Sequence, residues 1–256
     1  MIRLTFVLRR QPTMSRDEFQ HYWRTVHGPL VASFATSLDI LRYVQLHAVG
    51  SRPAGDGPRG PMEEPYDGVA ELWWRNRAAL VAASGSATGR AAGAALLADE
   101  ATFIDLPRSP LWLNHEYPQV NPVPENIVAR ERNAIVKLFY CLRPKPGMEE
   151  ADAQFYWRTA HGPLIRSHAE AMRVLRYVQV HRQPDELEGA LRAARGTAID
   201  PYMGHAELWY DRSLQAAQTP EAAAGAKAAV EDEATFIDFS RSALFFGKEI
   251  VVIDRR

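Results

Sequence analysis

A stretch of nine residues, Tyr22-Trp23-Arg24-Thr25-Val26-His27-Gly28-Pro29-Leu30, returns later as Tyr156-Trp157-Arg158-Thr159-Ala160-His161-Gly162-Pro163-Leu164, and nothing else restricts the fold as strongly. The displacement is 156 − 22 = 134 positions. Held at that value, residues 19–47 and 153–181 agree at 17 of 29 positions. It becomes 136 at Ala70-Glu71-Leu72-Trp73 against Ala206-Glu207-Leu208-Trp209. It becomes 133 at Asp99-Glu100-Ala101-Thr102-Phe103-Ile104-Asp105 against Asp232-Glu233-Ala234-Thr235-Phe236-Ile237-Asp238, where all seven residues agree. The length changes fall between matched blocks, as loop changes do. The chain is therefore a tandem duplication, and its long period fits two copies of a small domain rather than a solenoid. The copies are assigned to 1–116 and 134–256, joined by a proline-containing linker over 117–133.

Within the first copy, residues 2–8 alternate in β-prone types and predict a strand. Ser15-Arg16-Asp17-Glu18 forms a capping box and opens a helix with Phe19, Trp23 and Val26 on one stripe. Gly28 is expected to supply a left-handed helix end and Pro29 to forbid continuation, which leaves His27 at that end, on the face of Trp23. A short helix over 30–38, a strand over 41–48, a mobile Gly- and Pro-rich loop over 50–65 and a strand over 69–74 follow. An Ala-rich helical region over 76–101, broken near Ser84-Gly85-Ser86, leads to a strand over 111–116. The second copy repeats the order: strand 135–142, helix 149–160, strands 175–182 and 203–210, a helix opened by Thr219-Pro220, and a strand over 243–253. Each half reads βαββαβ, the ferredoxin-like unit. Such a sheet carries helices on one face, so its bare face must be buried elsewhere. The fold class is α+β: two tandem ferredoxin-like repeats closing into one pseudo-dimeric α+β barrel.

Period-2 patterning assigns the strand faces. Val44 and Leu46 suit the helix layer, which would leave Tyr43, Gln45 and His47 pointing into the barrel. Ala70 and Leu72 likewise suit the helices, with Val69, Glu71 and Trp73 inward. Tyr177, Gln179, His181, Glu207 and Trp209 are the counterparts in the second half, where His205 replaces Val69 and Met203 replaces Asp67. Each choice has a plainer alternative: the tryptophans as core, the arginines as ion pairs, the helix-end histidines as carbonyl partners. Glu71 and Glu207 are the sharper signal, because a buried carboxylate is costly unless paired and its pKa rises toward the range useful for proton transfer. They could equally bridge to an arginine.

Composition removes other classes. Net charge is −1 without a long basic cluster, which argues against nucleic acid or an anionic membrane as partner. No apolar run is long enough to span a bilayer, and Met1-Ile2-Arg3-Leu4 enters a strand pattern with no signal-peptide core. The lone Cys141 excludes an intrachain disulfide, and a cytoplasmic location is expected. P-loop, GxGxxG, GxSxG, CxxC and HExxH motifs are absent. Two histidines and a glutamate could make an iron triad, but the spacing carries no such signature, so neither metal nor cofactor is expected.

The stretch Tyr-Trp-Arg-x-x-His-Gly-Pro-Leu, then Arg42-Tyr43-Val44-Gln45, Tyr66-Asp67-Gly68-Val69-Ala70-Glu71-Leu72-Trp73 and the Asp-Glu-x-x-Phe-Ile-Asp segment, resembles the EthD family of dimeric α+β barrel proteins. The resemblance covers nearly all of both halves. Its members are usually single domains that dimerise, so this chain looks like a fused pair; pairing of two fused chains into a homodimer stays open. The family and its barrel relatives include methylmuconolactone isomerases, fungal polyketide dehydratases and decarboxylases, and cyclases, mostly without cofactor. By similarity His27, His161, Tyr43, His47, Tyr177 and His181 face the pocket.

These observations lead to an expected cofactor-independent lyase or isomerase acting on a hydrophobic, aromatic or polyketide-like small molecule. The acid–base set is His161, His181, Tyr177, Glu207, His205, His27, His47, Tyr43 and Glu71, with Gln45, Gln179, Trp73 and Trp209 as substrate contacts. The second half is favoured as the working site, because it would hold His161, His181, His205 and Glu207 together. Two rivals remain: a non-catalytic accessory protein that shelters a hydrophobic intermediate for an oxygenase, and a haem- or metal-dependent oxygenase.

Overall fold

A computed structural model describes residues 1–50, 57–122, 127–213 and 219–256. The first half runs β1 (Ile2–Leu8), α1 (Arg16–Tyr22), a π-helical turn (Trp23–His27), α2 (Gly28–Ser33), β2 (Arg42–Val49), β3 (Gly68–Trp74), α3 (Arg77–Gly85), α4 (Ala87–Phe103) and β4 (Leu111–Val120). The second runs β5 (Ile135–Leu142), α5 (Glu150–Tyr156), a second π-helical turn (Trp157–His161), α6 (Gly162–His168), β6 (Arg176–Arg182), α7 (Glu186–Arg195), β7 (Gly204–Asp211), α8 (Pro220–Phe236) and β8 (Ala243–Asp254).

Around the sheet the order is β4-β1-β3-β2-β8-β5-β7-β6, closing from β6 back to β4 in one barrel. Each half contributes four antiparallel strands in the ferredoxin-like order, and the β2–β8 and β4–β6 pairs seal the halves together. The expected fold is the observed one. Closure removes every exposed sheet edge, a standing risk for open sheets. β4 runs to Val120, so 117–120, expected in the linker, pair with β6 instead. A register shift beside Pro118 accommodates the proline, which has no amide to donate.

Local signals hold where they are local. Ser15 and Glu18 cap α1 reciprocally, with Ser15 N donating to Glu18 Oε2 at 2.8 Å. Ser86 caps α4 at the expected break, and Thr219 caps α8. The helix end at Gly28 needs correction. Gly28 has φ −56°, an ordinary right-handed value, and the chain winds on through the π turn into α2. The Gly28 amide donates to the Trp23 carbonyl five residues back, and Pro29 sits in the first turn of α2, where no amide is required. Glycine is needed for close approach instead: a Cβ would lie 3.0 Å from Gln45 Nε2 at Gly28, and 2.7 Å from Gln119 Oε1 at Gly162. Of the loop expected over 50–65, residues 51–56 lie outside the described residues. Helix α7, which the sequence did not announce, fills the matching connection in the second half.

The second correction concerns strand faces. Register pairs Thr5 with Glu71 and Glu71 with Val44, whereas Tyr43 pairs with Leu72 and Gln45 with Ala70. Cross-strand partners share a face. Val44 and Leu46 therefore point into the barrel, and Tyr43, Gln45 and His47 face the helices; Tyr177, Gln179 and His181 follow the same rule. Apolarity could not decide this, because one face lies under helices and the other inside the barrel, and both are buried.

The barrel interior combines an apolar cluster (Val7, Leu46, Val69, Trp112, Phe139, Phe245) with buried charge. Arg3 bridges Glu71 and Glu207 and reaches Glu116 at 2.9 Å. Lys137, the counterpart of Arg3, binds Glu71 at 2.7 Å and Glu207 at 2.8 Å. Replacing Lys137 with Met strips one cation from the buried Glu71–Glu207 pair, a loss of about 3–5 kcal/mol. Urea unfolding should place the Lys137→Met midpoint well below wild type at an unchanged slope, with Lys137→Arg between the two.

Candidate active site

Among the described residues each half has a cavity between sheet and helices. The second-half cavity has a volume of about 490 Å³, and its walls include Tyr140, Trp157, His161, Tyr177, Leu208 and Glu233. The first-half cavity, about 200 Å³, is bounded at matching positions by Phe6, Trp23, His27, Tyr43, Leu72 and Glu100. Trp74 and the α3 residue Leu80 also line the smaller one. Only the larger falls in the usual range for small-molecule pockets.

His161 closes the second π turn and is buried. Its Nδ1 lies 2.7 Å from Asp232 Oδ2 on α8, and Tyr156 Oη donates to the other oxygen of Asp232 at 2.7 Å. A carboxylate only accepts, so Nδ1 carries the proton and the lone pair of a neutral ring sits on Nε2. His27, Asp99 and Tyr22 repeat this triad at 2.7 Å.

A second network fixes Tyr177. Its hydroxyl accepts from Trp157 Nε1 at 2.9 Å and from Gln179 Nε2 at 3.2 Å. The Gln179 amide nitrogen also donates to the Trp157 carbonyl, which turns Oε1 toward His181 Nε2 at 3.2 Å. His181 stacks on Trp157, with centroids 4.5 Å apart and planes 9° apart. With both acceptor positions filled, the Tyr177 hydroxyl proton has no acceptor among the described residues. Burial pushes the Tyr177 pKa above the usual phenol value, so the group stays a donor. Tyr43, Trp23, Gln45 and His47 form the same arrangement in the first half.

Each cavity is bounded by an arginine from the opposite half. Arg59, before β3, binds Glu233 through Nε at 2.5 Å and Nη2 at 2.7 Å. Arg195, from α7, binds Glu100 at 2.8 and 2.9 Å. Both are two-point guanidinium–carboxylate contacts.

The predicted site residues thus separate into two layers. His161, Tyr177, Gln179 and His181 share the helix side of the second half, as His27, Tyr43, Gln45 and His47 do in the first. Gln179 and His181 stand behind Tyr177 rather than in the cavity wall. Glu71, Glu207, His205, Trp73 and Trp209 lie across the sheet, inside the barrel. The expected gathering of His161, His181, His205 and Glu207 does not occur, since His161 on the π turn and His181 on β6 lie on the helix side, whereas β7 turns His205 and Glu207 into the barrel. Trp73 Nε1 donates to Glu116 and Trp209 Nε1 to Glu249, both at 2.9 Å. Among residues not picked out from the sequence, Asp99, Asp232, Glu100 and Glu233 fall in the seven-residue identity, which could have marked them. Arg59, Arg195 and Tyr140 carry no repeat signal.

In the barrel, Glu71, His205 and Glu207 bring ligand atoms within 4.8 Å of one another, a donor set for a divalent cation. Arg3 and Lys137 already bind both carboxylates, so an added cation would face two positive charges; the residues do not fit a metal. Burial raises the Glu71 pKa to about 8 against the pull of Arg3 and Lys137. Burial acts the same way on Glu207, but Arg3 and Lys137 prevail and hold it well below the usual value.

A closed barrel of two ferredoxin-like halves, each with a cavity between sheet and helices, defines a fused α+β barrel protein. The EthD domain profile matches residues 11–107 and again 145–240, and the chain belongs to the EthD family. Among solved structures, one from Lactobacillus acidophilus NCFM, provisionally described as a monooxygenase, aligns over 99% of this chain and 96% of its own at 11% identity, with TM-score 0.47. Another from Fusobacterium nucleatum, described in the same way, aligns over 98% and 92% at 6% identity, with TM-score 0.48. A provisional chlorite dismutase aligns over 98% and 96% at 8% identity, with TM-score 0.47. Likeness at this level carries no argument about activity. No functionally curated protein matches the chain.

Burial lowers the pKa of His47, His181 and His205 from the usual 6.5 to about 3. Below pH 6.5 the unfolded chain takes up protons that these folded rings refuse. Stability is therefore full above that pH and falls as pH drops toward 3, by up to about 1.4 kcal/mol per pH unit for each ring. His205 faces Glu207, Glu71, Arg3 and Lys137. In urea unfolding between about pH 7 and pH 5, His205→Val should flatten the dependence by one ring's share; an unchanged slope would mean that His205 titrates in the folded barrel.

Proposed function

We propose that this protein is a cofactor-independent lyase or isomerase, acting on a hydrophobic small molecule in the second-half cavity. The observation that carries this reading is that the His161–Asp232 pair and the Tyr177 hydroxyl, whose proton has no acceptor among the described residues, line one largely apolar cavity. Asp232 holds the ring so that Nε2 can take a proton from carbon or oxygen. Tyr177 donates to the oxygen on which charge develops, and its network holds that donor in place before the substrate arrives. The hydrocarbon wall keeps water away and strengthens both interactions. Such a site serves enolisation, elimination of water or ring closure. Cavity size favours the second half, and the first half keeps the same groups around a smaller space.

The test is untargeted mass spectrometry of metabolites from source cells incubated with wild type, His161→Ala, Tyr177→Phe and His27→Ala. One metabolite should be converted by wild type. His161→Ala should slow conversion by about 10²–10⁴-fold, Tyr177→Phe by about 10²-fold, and His27→Ala by no more than a few-fold, with circular dichroism unchanged throughout. Retention of a metabolite by all four proteins without conversion would replace catalysis with a sheltering role. Equal loss in His27→Ala would move the reaction to both halves.

A further inference from the structure

Tyr140 stands on β5, facing the helix layer of the second half, and lines the large cavity. Its hydroxyl is buried and its proton has no acceptor among the described residues; the neighbouring Arg59 guanidinium can only donate to it. Such a group costs about 1–3 kcal/mol unless something accepts its proton. The matching residue in the first half is Phe6, which lines the smaller cavity with no polar atom. The arginine over the ring is repeated: the Arg59 guanidinium lies 5.2 Å over the Tyr140 ring, and that of Arg195 lies 5.2 Å over Phe6. A guanidinium only donates, and each of these is held by a glutamate, so neither is an acceptor. Tyr140 adds a hydroxyl where Phe6 has none, as Tyr210 does opposite Trp74.

Register places the Tyr140 backbone relative to that of Tyr177. Tyr140 pairs with Ala206, and Ala206 with Gln179, so Tyr140 and Tyr177 lie two strands apart and two residues out of step. That is about 10 Å across and about 7 Å along the sheet. The two side chains therefore rise from separate points of one cavity, and a ligand lying between them can meet both. Burial holds the Tyr140 pKa well above the usual phenol value, which keeps the proton in place for donation.

We propose that Tyr140 is a specificity-determining residue, and that the ligand is a flat apolar molecule with two oxygen functions at opposite ends. One oxygen meets Tyr177 and His161, and the other accepts from the Tyr140 hydroxyl. The proposal rests on the second-half cavity being the working site.

Two probes of the same ring skeleton, naphthalen-2-ol and naphthalene-2,6-diol, test it by equilibrium titration of the full chain. Wild type should bind the diol about ten-fold or more tightly than the mono-ol. Tyr140→Phe installs the residue that the first half already carries; it should bring the two affinities within about two-fold while leaving that for the mono-ol unchanged. A diol preference that survives in Tyr140→Phe overturns the proposal, as does a wild type that fails to discriminate or binds neither probe. Leu208→Trp, which fills the cavity from β7, reads the underlying site separately. Weakening of both probes places them in the cavity, so that failure of the Tyr140 arm is then failure of the specificity claim alone. Unchanged binding of both in Leu208→Trp places them elsewhere and removes the cavity reading and the proposal together.

Discussion

A four-stranded sheet with helices on one side has a second face that water would wet, and in this chain two such faces close on each other. The seams are backbone ladders, β2 on β8 and β4 on β6, so closure consumes the edges as well as the faces. The enclosed volume is more than hydrocarbon. Arg3 and Lys137, which occupy matching positions in the two halves, each bind both Glu71 and Glu207. Stripping water from these groups is expensive, and only their mutual pairing offsets the cost. A slip of one residue in β1 or β5 would turn a cation into the helix layer and leave the glutamates bare. The charges therefore fix the register that also aims Tyr43 and Tyr177 at the cavities.

Much of this architecture was legible in the residues. The duplication, the element order, the capping box at Ser15 and the cap at Thr219 are local signals, and closure followed from asking what covers a one-sided sheet. The orientation of β2 and β6 was not legible, because both faces of these strands are buried and Val44 is as suited to the barrel as to the helices. The π turns were hidden for a related reason. Gly28 and Gly162 look like helix terminators, yet what they provide is room for the side chains packed against them. His27, His161, Tyr43 and Tyr177 line the cavities, but the two tyrosines do so from the helix side of the sheet and not from inside the barrel. Asp232 and Glu233 escaped notice as acids near the end of a helix, where such residues are commonly just solvated. Arg59 and Arg195 belong to segments that do not repeat, so no internal comparison could single them out.

The site separates rigid support from contact. Gln179 and His181 do not line the cavity; they fix the hydroxyl of a tyrosine that does. Asp232 and Tyr156 likewise hold His161 from behind. Both halves keep this support, and they differ chiefly in what fills the space above it: Phe6, Trp74 and Leu80 crowd one cavity, whereas Tyr140 and Tyr210 border the other.

His205 has a consequence for how this protein could arise. In an assembly of two identical chains, every residue near the two-fold axis occurs twice, facing its own image. An imidazole near the axis would then bring a second one into a chamber already crowded with charge. Joining the copies in one polypeptide lifts that restriction: Val69 stays small while its mate becomes His205, and the centre of the barrel accepts one ring where symmetry would have imposed a pair. Fusion thus gives each half the freedom to change where identical subunits would have to change together.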